Sequence, residues 1–316
     1  MSRDPFAVEA EEAEMTPEQR EAAKRHEMLQ RYGKYGELVF PADATAPILT
    51  RPVRAALQQW MLEMSSAAEL KRVGLKPRQR ALLSGPPGCG KTTLAHHVAA
   101  RVGLPMLVVQ STDILSKYVA QSGEQIGKLF REARRDKGGV ALFFDEFDSI
   151  AHKRKGGDNS ASVEQNNIVI ALLQEIDRFD GMLFAATNQA KEIDPAVWRR
   201  FQMQIEIGFP GGAERFAIVR MYLAPFVTDD EAVIAIANSF DGASPALIRE
   251  GCESIKRALV LGTKMSLSID LPAIMTRFAA AAAPSEGMPT PALWDRPDQI
   301  INQLGAVMAW PPERAA

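Results

Sequence analysis

Short apolar runs alternate along the chain with stretches whose apolar residues recur every three or four positions, and beyond residue 211 the runs stop. Ala81-Leu82-Leu83, Pro105 to Val109, Gly139 to Phe144 and Gly181 to Thr187 are the runs; Gln202 to Ile207 alternates. Continuous apolar runs of this length predict strands buried on both faces. Between them, Thr93 to Val102 places Leu94, Val98 and Val102 on one side, and Glu124 to Arg135 does the same with Ile126, Leu129, Phe130 and Ala133. These stretches and Val163 to Ile176 predict helices, and Ile193-Asp194-Pro195 opens a short one that ends by Phe201. Upstream, Arg51 to Leu70 predicts a helix with Trp60 packed in the core. Strands alternating with helices imply an α/β fold with a doubly wound parallel sheet. Glu214–Leu223, Asp230–Phe240, Pro245–Leu261 and Leu271–Ala281 then predict a small all-helical domain.

The ends read differently. Residues 1–15 carry Asp4, Glu9, Glu11, Glu12 and Glu14 among few large apolar groups, the composition of a disordered arm. Thr16-Pro17-Glu18-Gln19 then has the form of a capping box with proline in the first turn. The helix it starts runs to Tyr32 and stops at Gly33. Its thin apolar stripe fits either a solvated helix or a docking element, the solvated one favoured because charged faces usually face water, and a linker follows over Gly36 to Pro47. The last stretch holds Pro284, Pro289, Pro291, Pro297, Pro311 and Pro312 and predicts a tail with little regular structure apart from Gln299 to Val307. The expected division is an arm, helix and linker over 1–48, an α/β domain over 49–209, a small helical domain over 210–283 and the proline-rich tail over 284–316.

Chemistry enters at Gly85-Pro86-Pro87-Gly88-Cys89-Gly90-Lys91-Thr92, which matches G-x-x-x-x-G-K-[ST] at every fixed position and lies between a predicted strand and a predicted helix. Gly88 and Gly90 let the backbone curl, so that amides from Gly88 to Thr92 converge on anionic oxygens at the positive end of the following helix, with Thr93 beside them. Lys91 is expected to reach the β- and γ-phosphates of ATP, and Thr92 to ligate Mg²⁺. Asp145-Glu146 follows the run Leu142-Phe143-Phe144. Asp145 is expected on Mg²⁺ and Glu146 on the attacking water.

With these motifs in this order, the chain resembles the AAA+ ATPases, and within them the AAA subgroup that includes katanin, spastin, the proteasomal ATPases and the FtsH-type modules. The resemblance spans about residues 49–283 and implies a P-loop NTPase sheet followed by a helical lid. It implies an Mg²⁺-dependent ATPase with Asn188 as the sensor of the hydrolytic water. It also implies arginine fingers among Arg199 and Arg200, which act on a neighbouring subunit; the pair is adjacent, so the reaching residue stays open. Asp177-Arg178-Phe179 stands where the subgroup has an inter-subunit Asp-Gly-Phe. Asp241-Gly242-Ala243-Ser244 resembles the Gly-x-Ser that opens the lid helix in place of a sensor arginine, with Gly242 and Ser244 expected near the base or ribose. Lys117-Tyr118-Val119 resembles the pore loop of protein-threading members, though Ala120 replaces the usual glycine. The implied function is a ring-forming motor, a nucleotide-dependent homohexamer that remodels or unfolds protein, with a separate protease or adaptor as a further partner. The competing reading is a DNA-acting AAA+ accessory ATPase of the transposition or replication type.

Composition narrows these readings. The chain has 316 residues, with Lys+Arg 37 against Asp+Glu 39 and a net charge of −2, which counts against a broadly basic nucleic-acid binder. Cys89 sits in the glycine-rich loop and Cys252 in a predicted helix, so a disulfide is not expected; the pattern fits a reducing cytoplasm. No apolar run approaches the ~18 residues of a membrane span, and the acidic start lacks the form of a signal peptide.

Overall fold

A computed structural model gives the fold. It describes residues 16–111, 122–136, 138–153, 160–262, 264, 268–284, 288–307 and 309–314, without the side chains of 122, 160–165, 313 and 314. The acidic arm over 1–15 and the expected pore loop, Lys117, Tyr118 and Val119, lie outside the described residues.

In chain order the elements are α1 (Pro17–Tyr32), β1 (Glu37–Val39), α2 (Arg51–Ser65), α3 (Ala67–Arg72), β2 (Arg80–Ser84), α4 (Lys91–Arg101), β3 (Met106–Gln110), α5 (Ser122–Arg135), β4 (Ala141–Asp145), α6 (Ser160–Arg178), β5 (Leu183–Thr187), α7 (Pro195–Trp198) and β6 (Met203–Glu206). Then follow α8 (Gly212–Leu223), β7 (Phe226–Val227), α9 (Asp230–Ser239), α10 (Pro245–Leu261), α11 (Leu271–Ala281), α12 (Ala292–Asp295), α13 (Pro297–Gly305) and β8 (Glu313–Arg314). One sheet has the order β1-β3-β4-β5-β2-β6. Its pairs are parallel except β1 against β3. The alternation along each strand divides the core in two. Leu82, Leu107, Leu142, Phe144 and Leu183 face α5, α6 and the end of α1. Leu83, Val108, Phe143 and Phe184 face α2 and α4. Both faces are therefore dry, which is why these strands read as unbroken apolar runs. Trp60 is fully buried, and its indole donates to Arg78 O at 2.7 Å.

Four expectations are corrected. First, α1 begins with the capping box around Thr16 and Gln19 as expected, but it is the docking element and not the favoured solvated helix. Met28 and Tyr32 are buried, Arg31 pairs with Glu132 at 2.8 Å and Asp136 at 3.3 Å, and the Tyr32 hydroxyl donates to Asp136 at 3.1 Å. Two large side chains at one end suffice to dock a helix whose remaining face is charged. Second, the linker contains β1, an edge strand of three residues, too short for alternation to register. Third, the predicted Arg51–Leu70 helix breaks at Ser66, where φ is −97° and ψ is 24°; next to it the Ser65 hydroxyl donates to Leu62 O at 2.9 Å, an acceptor it shares with the Ser66 amide at 3.0 Å. Fourth, the proline-rich tail carries α12 and a helix α13 that starts at Pro297, before the expected Gln299 to Val307. Ala292, Leu293, Ile300 and Leu304 are buried in the same core as α8 to α11. Pro297 occupies the first turn of α13, where proline is favoured rather than disruptive.

Candidate nucleotide site

The loop between β2 and α4 is built by its sequence. Gly88 and Gly90 have φ of 73° and 89°, a region costly for other residues. A side chain at Gly88 would also meet Ala246 Cβ at 2.8 Å. Among the described residues, the amides of Gly88, Cys89, Gly90 and Lys91 have no acceptor within the chain. Unpaired amides at the start of a helix are an anion site.

The Lys91 ammonium is buried. It donates to Gly85 O at 2.8 Å, Pro86 O at 2.9 Å and Asn188 Oδ1 at 2.6 Å. Burial lowers its pKa, against the opposing pull of Cys89, Asp145 and Asp148. Burial raises the pKa of the Cys89 thiol, which belongs to the core under the loop. At the ends of β4 and β5 the acids are fixed by their neighbours. The Glu146 amide donates to Asp145 Oδ1 at 2.9 Å, Ser111 Oγ to Asp145 O at 2.5 Å and Thr187 Oγ1 to Asp148 Oδ1 at 2.6 Å. Glu146 has φ 47° and ψ 44° and is the one non-glycine residue with positive φ among those described. Such a conformation costs about 1–3 kcal/mol and clusters at functional positions.

A cavity of about 340 Å³ gathers Pro87, Gly88, Gly90, Lys91, Thr92, Thr93, Asp145, Glu146 and Asn188. Tyr222 of α8 and Pro245, Ala246 and Arg249 of α10 complete it. A bond from the Ala246 amide to Gly88 O, 3.1 Å, brings the lid against the loop. Gly85 and Pro86 do not line the cavity; they hold Lys91 through their carbonyls. Gly242 and Ser244 line a neighbouring cavity instead, together with Phe209, Met288 and Pro289. Ser244 caps α10 by accepting the Leu247 amide at 3.3 Å, and Gly242 turns with φ 84° against Pro291.

Tyr222 and Arg249 escaped the sequence reading. Each stands on a helix of the lid, far along the chain from the loop, and neither belongs to a spaced motif. Only the docking of the lid on Gly88 brings them to the cavity. Arg199 and Arg200 stand apart from it, after α7. Arg199 is exposed, whereas Arg200 is held by Asp177 through Nε and Nη2, both at 3.2 Å, and donates to Ala196 O at 2.9 Å. Phe179 is buried and meets Phe130 edge-on at 5.4 Å.

The donor set fits a magnesium nucleotide. Free amides and a buried ammonium suit phosphate oxygens, and a threonine hydroxyl with a carboxylate suits a hard divalent cation. Among the described residues, no helix is long and apolar enough to cross a membrane.

Residues 81–209 match the family described as ATPase family associated with various cellular activities (AAA). The AAA family ATPase y4kL of Sinorhizobium fredii is 35% identical over 203 residues, 63% of this chain and 59% of that protein. The 26S proteasome regulatory subunit 10B homolog A of Arabidopsis thaliana is 35% identical over 182 residues, 54% of this chain and 45% of that protein. The proteasome-activating nucleotidase of Aeropyrum pernix is 32% identical over 222 residues, 66% of this chain and 54% of that protein. The chain spans about half the length of these curated relatives. Residues 81–209 are thus similar to the ATPase domain of the AAA family.

Proposed function

We propose that the protein hydrolyses MgATP and uses the reaction to remodel or unfold protein substrates as a ring of like subunits. The observation that carries the reading is the contact of Lys91 with Asn188 beside Asp145 and Glu146, all in one cavity closed by the lid. The likeness to proteasomal ATPases supports protein as the substrate class.

In this reading Lys91 releases Gly85 O and Pro86 O and turns its protons to the β- and γ-phosphates, joined by the amides of Gly88 to Thr92. Thr92 and Asp145 would hold Mg²⁺, which when bound would supply neutralisation of charge on the phosphates. Glu146 takes the proton of the attacking water, and Asn188 fixes that water's position. Arg249 supplies a cation from the lid, so lid closure and charge compensation arrive together. Arg199 is the finger offered to a neighbouring copy, because Arg200 is already committed to Asp177. Lys117, Tyr118 and Val119 grip an extended polypeptide in the central pore, and a separate protease or adaptor supplies any step beyond unfolding.

Steady-state ATP turnover tests this, with and without a permanently unfolded polypeptide such as casein. The expected result is Mg²⁺-dependent hydrolysis stimulated several-fold by casein. Stimulation by single-stranded or duplex DNA and not by casein would replace it with the DNA-acting reading.

A further inference from the structure

A second large cavity, about 820 Å³, lies away from the nucleotide site between α2 and α4. Its floor and walls include Met61, Leu62 and Met64, its cations are Arg54 and Arg101, and the His97 imidazole also lines it. Leu62 is 66% exposed, an uncovered apolar surface beside uncovered charge. Among the described residues no carboxylate lines this groove, and neither Arg54 nor Arg101 forms an ion pair. Burial first, and Arg101 and His96 after it, hold the His97 pKa below the ordinary value, so the charge of the groove is carried by Arg54 and Arg101. An occupant must therefore bring both apolar side chains and negative charge.

We infer that residues 1–15 of the same chain are that occupant, docking across the α2–α4 groove. Their sequence, MSRDPFAVEAEEAEM, supplies Asp4 and four glutamates against a single arginine, with Phe6, Val8 and Met15 as apolar anchors. The reach is sufficient. Arg25 of α1 lies over the Phe40 ring and 3.7 Å from Asp43, and Phe40 O meets the His96 ring at 2.9 Å. His96 adjoins His97 of the groove. From Arg25 back to Thr16 the helix covers roughly 14 Å, and fifteen extended residues span up to about 50 Å. The inference does not depend on the nucleotide chemistry.

Methionine-methyl NMR of the full chain, without nucleotide, tests it through Met61 and Met64. In E9Q/E11Q/E12Q/E14Q, which leaves the folded domains untouched, both methyl signals are expected to move by more than a linewidth. The groove variant R54E/R101E is expected to release the arm as well. Combining it with lysines at Glu9, Glu11, Glu12 and Glu14 is expected to restore docking, seen as shifts that again respond to neutralising the arm. Added salt near 1 M should move the native signals toward those of the neutralised arm, since a ~3 Å screening length weakens the ion pairs. Met61 and Met64 signals that are identical with the native and the neutralised arm would overturn the inference. So would a difference that appears only as protein concentration rises, because the groove would then be covered by another copy.

Discussion

Lys91 Nζ lies 2.6 Å from Asn188 Oδ1, across the tips of two adjacent parallel strands. The ammonium that would hold the phosphates and the amide that would hold the water are thus in one hydrogen-bond network before any ligand arrives. The two substitutions should nonetheless separate. Lys91→Ala removes a charge-assisted donor worth about 1.5–3 kcal/mol and is expected to weaken ATP binding by roughly ten- to a hundred-fold. Asn188→Ala is expected to keep binding and lose turnover. Fluorescent-nucleotide titration beside a phosphate-release assay reads both.

Glu146→Gln keeps the shape of the side chain and removes the base. ATP binding should persist while hydrolysis slows by about 10²–10⁴-fold. Single-turnover kinetics check this without interference from product release.

The two arginines after α7 should behave differently. Arg199→Ala should leave binding intact and cut hydrolysis in the assembled protein by on the order of 10³-fold, the usual effect of losing an arginine finger. Arg200→Ala should instead loosen the end of α6, because its partner is Asp177. Mixing Arg199→Ala with Glu146→Gln subunits provides the check: partial recovery of turnover means that the finger acts between copies.

Nucleotide affinity should depend on alkaline pH. Burial holds the free-state Lys91 pKa below the ordinary 10.5, and bound phosphates would raise it again. Binding is therefore accompanied by proton uptake once pH exceeds the free-state value, and affinity falls as pH rises from there toward 10.5. Calorimetry in buffers of different ionisation enthalpy measures the proton count, and Lys91→Ala should abolish it.

Much of this site was legible because its chemistry is local. Gly88 to Thr92 form one turn, and Asp145-Glu146 ends one strand, so spacing alone exposes them. The sheet was legible for a related reason: strands dry on both faces need unbroken apolar runs such as Leu142-Phe143-Phe144. What escaped is non-local. Arg249 and Tyr222 reach the cavity only through the contact of Ala246 with Gly88. Tyr32 is recognisable as core only once Asp136 stands opposite its hydroxyl. β1 is too short for a period, and Pro297 reads as a breaker although it begins a helix.

The lid's share in the site can be measured separately. Arg249 also lies 3.7 Å from Glu253 on the same helix, an exposed pair of little energetic weight. Arg249→Ala is therefore expected to leave thermal stability nearly unchanged while weakening ATP affinity about ten-fold. A large loss of stability would instead make it a packing residue.

The central claim, that ATP drives this protein along polypeptide, is tested most directly by a substrate trap. Glu146→Gln protein held with ATP would be recovered from its native host beside a form that also carries Tyr118→Ala. Polypeptides retained by the first and lost from the second are the predicted result. Recovery of nucleic acid, or the same polypeptides from both forms, would contradict it.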